Sequence, residues 1–123
     1  MFGPVVRYDI KASKVVKRTT IYAGGARCVC MSVTGDSVAF ERQDGSTTWI
    51  SIMSINGGTP RDIVTNNVYM FYLDWPAGDY IYYNKGWPRG STPPDSSKVF
   101  NRVNVKTKAV ERIAYFSVNA AAD

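Results

Sequence analysis

A six-residue pattern, Gly-Asp-x-(Val/Ile)-x-(aromatic), occurs twice, as Gly35-Asp36-Ser37-Val38-Ala39-Phe40 and as Gly78-Asp79-Tyr80-Ile81-Tyr82-Tyr83, with start points 43 residues apart. A second pattern, apolar-polar-apolar followed by a turn residue, occurs three times, as Tyr8-Asp9-Ile10-Lys11, Met53-Ser54-Ile55-Asn56 and Val103-Asn104-Val105-Lys106. Its start points are 45 and then 50 residues apart, near the ~40–50-residue period of propeller blades. Glycine supplies the positive φ that a tight turn needs, and aspartate bonds its own backbone there. The first pattern therefore opens a strand after a turn and the second closes a strand before one. Repeated in this order, they constrain the chain to an array of short antiparallel strands.

Alternation and turn residues extend this reading along the chain. Strands are expected at Val5–Ile10, Lys14–Ile21, Arg27–Ser32, Ser37–Arg42, Thr48–Ile55 and Arg61–Val64, with a break at Ala23-Gly24-Gly25. A second unit follows with strands at Tyr69–Asp74, Tyr80–Asn84, Val99–Val105 and Ala109–Phe116, interrupted by a long loop from Lys85 to Lys98. No helix-period stretch competes. Each unit reads as a four-stranded antiparallel meander, and the fold class is all-β. The expected units are a half-unit at 1–27, complete units at 28–67 and 68–116, and a connector at 117–123. Two complete units and an unmatched half predict either a piece of a longer protein or assembly of several copies, and the first is preferred.

At 123 residues and 45% hydrophobic content, the chain can bury a core of single-domain size. The longest apolar run, Val68 to Leu73, is far short of the ~20 residues of a membrane span, and no signal-peptide pattern is written at the N-terminus. Histidine is absent, which removes the commonest general base and metal ligand and excludes Ser-His-Asp and Cys-His catalysis within this chain. Cys28 and Cys30, two apart in an expected strand, would lie on one face roughly 6.6 Å apart at Cα. They read as small buried apolar side chains. No metal or other cofactor is expected.

The net charge of +5 is unevenly spread. Lys11, Lys14, Lys17 and Arg18 near one turn have counterparts in Lys106, Lys108 and Arg112 near another. Charged strand edges resist aggregation, so these read as a solvated rim, and nucleic acid is not the expected partner.

The order of turns resembles TolB-like β-propeller repeats, which read as a Ser-Pro-Asp-Gly turn, an apolar pair, an Asp-Gly loop, a strand and an Asn-x-Gly-Gly turn. The corresponding residues here are Ser32-Val33-Thr34-Gly35-Asp36, Val38-Ala39-Phe40, Gln43-Asp44-Gly45, Trp49 to Ile55 and Asn56-Gly57-Gly58-Thr59-Pro60. The second unit matches through Asp74-Trp75-Pro76-Ala77-Gly78-Asp79 and Tyr80-Ile81-Tyr82-Tyr83. The likeness covers most of residues 28–116 and is shared with prolyl-oligopeptidase-type propellers. The first unit lacks the family's turn proline, and the second replaces the short Asp-Gly loop with the stretch from Lys85 to Lys98. The resemblance implies a partial propeller of about two and a half blades, in a periplasmic or extracellular protein. Its function would be non-catalytic binding of a protein or saccharide on the loop face. The alternative it implies is the substrate-gating propeller of a larger enzyme.

The insertion holds the main candidate site. Trp87 between Lys85 and Arg89 could stack a sugar ring or a base while the cations hold an anion, or it could simply cover a neighbouring blade. Asp74, at the end of an inner strand, is a candidate for lining a central channel. Asp36 and Asp79 read as turn residues. Trp49, Trp75, Tyr69, Tyr72, Tyr80, Tyr82, Phe71 and Phe40 read as packing between blades. Self-association is expected of the chain alone, because the unmatched half-unit leaves apolar faces uncovered.

Overall fold

The computed structural model describes residues 2–66, 68–88 and 97–117. Nine strands follow in chain order: β1 (Gly3–Lys11), β2 (Lys14–Met31), β3 (Ser37–Asp44), β4 (Thr47–Ser54), β5 (Gly57–Asn66), β6 (Val68–Asp74), β7 (Tyr80–Pro88), β8 (Ser97–Asn104) and β9 (Val110–Ser117). Within each of two sheets, one ordered β1-β2-β3-β4-β5 and the other β6-β7-β8-β9, every strand pairs antiparallel with the next. Among the described residues there is no helix, and hence none long and apolar enough to cross a membrane.

The first sheet is two layers in space. β2 pairs with β1 from Lys14 to Ala26 and with β3 only from Ala26 to Met31. The β1–β2 ribbon is therefore joined to the rest of its sheet through the second half of β2 alone. It packs on β3 and β4 through Val5, Ala26, Val38, Phe40 and Met53, flanked by Ile21, Tyr22 and Ile55. The opposite face of the same meander offers Ala39, Ile50, Ile52, Ile63 and Val64 to Met70, Trp75, Ile81, Tyr83, Val103 and Val105 of the second sheet and its first turn. Strand alternation produces this division, since Val38 and Phe40 point one way and Ala39 the other. The result is three stacked layers with an apolar seam at each junction.

Both repeated sequence patterns have a structural counterpart. Gly35 and Gly78 adopt φ of 77° and 64°. The following Asp36 and Asp79 carbonyls accept the Ile55 and Val105 N–H groups at 3.1 and 2.8 Å. Ile55 and Val105 occupy the same place in the second pattern. The residue before each caps the hairpin: Ser54 Oγ accepts the Asn56 N–H at 3.0 Å, and Asn104 Oδ1 accepts the Lys106 N–H at 2.9 Å. The third instance of the pattern ends β1 at Lys11, where Ala12 and Ser13 turn the chain with φ of 52° and 64°. Two positive φ values fit the two-residue hairpin turn that matches strand twist.

Three expectations are corrected. First, Ala23-Gly24-Gly25 does not break the chain, because β2 runs through it. A Cβ at Gly24 would run into the Tyr22 ring, so the glycine makes room for that ring, which lies 4.9 Å from Phe40 centroid to centroid. Second, Cys28 and Cys30 do not follow simple alternation. The register steps three residues along β2 but two along β3 between Arg27↔Glu41 and Cys30↔Ala39, a β-bulge with Cys28 at φ 54°. Both cysteines are free and half-buried.

Third, the expected loop from Lys85 to Lys98 is shorter. Lys85, Gly86, Trp87 and Pro88 belong to β7, and Ser97 and Lys98 to β8. Neighbours on both sides hold this extension: Lys85 pairs with Met70 on β6 and Val99 on β8. Proline, having no N–H to continue a central ladder, closes the strand at Pro88.

Of the aromatic residues expected to pack, Phe40 and Trp75 are buried, while Trp49, Tyr80 and Tyr82 are half-buried. The side chains of Tyr69, Phe71 and Tyr72 lie outside the described ones.

Candidate functional site

Polar contacts join the layers at matching places. Arg7 Nη1 donates to the Ile55 carbonyl at 3.3 Å and to Asn56 Oδ1 at 2.8 Å. Arg61 Nη2 donates to the Val105 carbonyl at 2.7 Å. Each arginine reaches from its own layer to the hairpin turn of the next. Between the second and third layers Glu41 adds a buried carboxylate: it is fully enclosed, ion-pairs with Arg27, and accepts the Met70 N–H at 2.7 Å. Asn84, at the same motif position in the second unit, is also buried. Neither Glu41 nor the two arginine clamps was singled out from the sequence. The signal was a polar residue directly after both copies of the first pattern.

On the face of β3–β5 that bears Phe40, Arg42 forms a fork on Asp62, with Nη2 2.8 Å from both carboxylate oxygens. Ser51 Oγ donates to Asp62 Oδ1 at 2.6 Å, and the guanidinium lies 4.3 Å from the Trp49 ring centroid. On the third layer Arg102 lies 4.0 Å from the Tyr80 ring centroid and pairs with Glu111. These arginines are engaged with their own sheet, so they read as structural clamps.

Of the candidate residues from the sequence, Asp74 and Lys85 are placed apart along β6. Asp74 ends β6 opposite Tyr82, exposed, at the turn end of the sheet. Lys85 is half-buried and pairs near the other end of β6, and Trp87 lies next to Pro88, the partner of Val68. The backbone thus separates Asp74 from the Lys85–Trp87 stretch. Arg89 lies outside the described residues, as does the stretch from 89 to 96. Asp36 is a turn residue, with its Oδ1 accepting from Thr34 Oγ1 at 2.8 Å and Ser32 Oγ at 3.1 Å. The Thr34 hydroxyl first and the Ser32 hydroxyl second hold its carboxyl below the ordinary aspartate value.

Asp74 instead acts on Cys30. Burial first, then the Asp74 carboxylate and then Cys28, push the Cys30 thiol up to about 11. A thiol held protonated is a poor nucleophile and a poor metal ligand at neutral pH. Among the described residues no group of three or more His, Cys, Asp or Glu converges to hold a metal. In a Cys28→Ser background, alkylation of Cys30 at pH 7.5 should run about two orders of magnitude slower in the folded than in the unfolded chain. The rate should climb about tenfold per pH unit up to about 11. The sign of the linkage follows: above the unfolded thiol's value the unfolded chain loses its proton first, so stability falls as the pH rises toward 11. A native rate equal to the unfolded rate would contradict this environment.

A concavity lies along β1. A cleft of about 480 Å³ is lined by Val5, Tyr8, Ile21, Val29, Met31 and Ile55 among others. Tyr8, Val29 and Met31 are 53%, 50% and 58% exposed, and Val33 beyond them is 68% exposed. Among the described residues β1 is the edge of its sheet, paired with β2 alone. An unpaired ladder and an apolar cleft therefore run side by side. The residues of this cleft were not singled out from the sequence, which led only to the expectation that the unmatched half-unit leaves apolar faces uncovered. The chain matches no protein-family model, no curated protein and no solved structure. The cleft is accordingly read from its own residues.

Proposed function

We propose that this chain is a non-catalytic module of β-propeller type that binds a protein partner through the apolar cleft beside β1. The observation that carries the reading is the cleft itself, where Val29 and Met31 stand half or more exposed next to a strand edge unpaired among the described residues. Contiguous exposed apolar surface marks interaction sites. The propeller part of the reading is supported by the stacking of meanders that share turn bonds and turn clamps. A protein fits the cleft better than a saccharide does, because its lining is chiefly aliphatic and a sugar site calls for exposed aromatic faces with polar groups beside them. The loop-face site at Lys85, Trp87 and Arg89 is the competing location for the same binding function.

A photo-reactive amino acid placed at Met31 or, separately, at Trp87 tests the choice in the protein's native cells. Discrete protein adducts from position 31 and none from position 87 are the expected result. Adducts only from position 87, or retention on a defined oligosaccharide that the Trp87→Ala variant loses, would move the site to the loop face.

A further inference from the structure

We infer that the Asn56–Gly57 peptide is a self-modification site, where the chain converts its own asparagine to aspartate or isoaspartate, and that the Arg7 clamp keeps the site closed while the first two layers are docked. The inference is independent of the binding reading above.

The chemistry needs an asparagine followed by a residue whose amide nitrogen is unobstructed. Asn56 is the only asparagine in the chain followed by glycine. Glycine has no Cβ to shield its nitrogen, and it permits the backbone rotations that bring that nitrogen to the side chain. Once the Gly57 N–H has given its proton to hydroxide, the nitrogen attacks Asn56 Cγ and ammonia leaves, closing a five-membered succinimide. Water then adds at one of the two ring carbonyl carbons. Addition at Cγ reopens the ring to aspartate, and addition at the main-chain carbonyl carbon of residue 56 gives isoaspartate, whose main chain runs through Cβ and Cγ. Either route consumes one water, releases one ammonia and needs no oxidant or reductant.

Asn56 is exposed, so water and hydroxide reach it. What the fold withholds is the geometry. Asn56 Oδ1 accepts from Arg7 Nη1 at 2.8 Å, and the same guanidinium nitrogen reaches the Ile55 carbonyl at 3.3 Å. The Asn56 N–H donates to Ser54 Oγ at 3.0 Å, and Gly57 pairs with Ser54 across the hairpin. The side-chain amide and the main chain on both sides of it are therefore held separately, and ring closure requires residue 56 to leave these bonds. Arg7 is itself fixed by Asp9, whose Oδ1 lies 2.9 Å from both Nε and Nη2. Its strand belongs to the ribbon that joins the rest of its sheet only through Ala26–Met31, so the clamp opens when the ribbon lifts. Local opening of this kind costs less than global unfolding. The product is permanent: isoaspartate lengthens by one carbon the main chain of the hairpin whose Ile55 N–H holds the Asp36 carbonyl, and Arg7 no longer meets the turn it grips.

The test incubates the full chain in mildly alkaline buffer and follows residue 56 by peptide mapping, with an isoaspartate-specific methyltransferase as the second readout. The folded parent should convert Asn56 at least about tenfold more slowly than the same chain unfolded in urea. Arg7→Met, which keeps the aliphatic stem and removes the donors, should raise the folded rate about fivefold. Arg61→Met, which removes the equivalent clamp on the Val105 carbonyl at the next junction, should change it by less than about twofold. Asn101 and Asn104, followed by Arg102 and Val103's neighbour Val105, should stay unmodified over the same period. No conversion of Asn56 in the unfolded chain would remove the site. Equal folded and unfolded rates, an Arg7→Met rate no higher than the parent's, or an equal acceleration by Arg61→Met would overturn the role of the clamp.

Discussion

Replacing Glu41 by Leu should lower stability by about 3–5 kcal/mol, the range found when one member of a buried ion pair is removed. Two groups lose their partner at once. Arg27 loses its carboxylate, and the Met70 N–H loses the oxygen it reaches at 2.7 Å between two layers. In a protein of this size the melting temperature should fall by about 10–20 °C. Glu41→Gln keeps an acceptor for Met70 while removing the charge, so it should fall between the parent and Glu41→Leu. The order of the three proteins in a denaturant titration is the check. If Glu41→Leu is as stable as the parent, the carboxylate is not holding the layers together.

The second large effect is expected at Phe40. Its side chain is fully buried and packs with Tyr22 across the seam between the β1–β2 ribbon and the next layer. Phe40→Ala should cost about 3–5 kcal/mol through lost burial and the cavity left behind. Because the ribbon is joined to its sheet only through the Ala26–Met31 stretch, the loss should include loosening of the ribbon itself. Proteolysis should then cut first within residues 10–18, which are exposed even in the parent. A Phe40→Ala protein that keeps its denaturation midpoint would contradict the seam.

Much of this fold was legible in the sequence because turn chemistry is local. Gly35-Asp36 and Gly78-Asp79 announce their turns by residue type, and the three hairpin-closing patterns fall where β1, β4 and β8 end. What alternation could not reveal depends on neighbours. Gly24 and Gly25 look like a break, yet they lie within β2, where Gly24 leaves space for the Tyr22 ring against Phe40 and Gly25 lies against Phe2. One extra residue at the Cys28 bulge reverses the facing of everything after it, and no residue type marks it. Lys85 to Pro88 look like loop because Gly and Pro punctuate them, but pairing with β6 and β8 carries the strand on.

The candidate site was less legible for the same reason. A tryptophan between cations draws attention to the Lys85–Arg89 stretch, whereas the cleft beside β1 is built from ordinary Val, Ile and Met residues. Their exposure is visible only once the strands are set in their layers. Arg7 and Arg61 sit in different strands of different layers, so only the fold displays them as clamps on equivalent turns.

Residue-resolved hydrogen exchange on the folded chain tests the stacked-repeat account most directly. The Ile55 and Val105 amides hold the two equivalent Gly-Asp turns, and the Met70 amide is bonded to Glu41 across the layer junction. If the layers form one cooperative unit, all three should exchange slowly and with the same opening free energy, equal to that of global unfolding. If Met70 and Val105 open together at a free energy more than about 2 kcal/mol below that of Ile55, the second sheet unfolds independently and the layers are neighbours without being a stack.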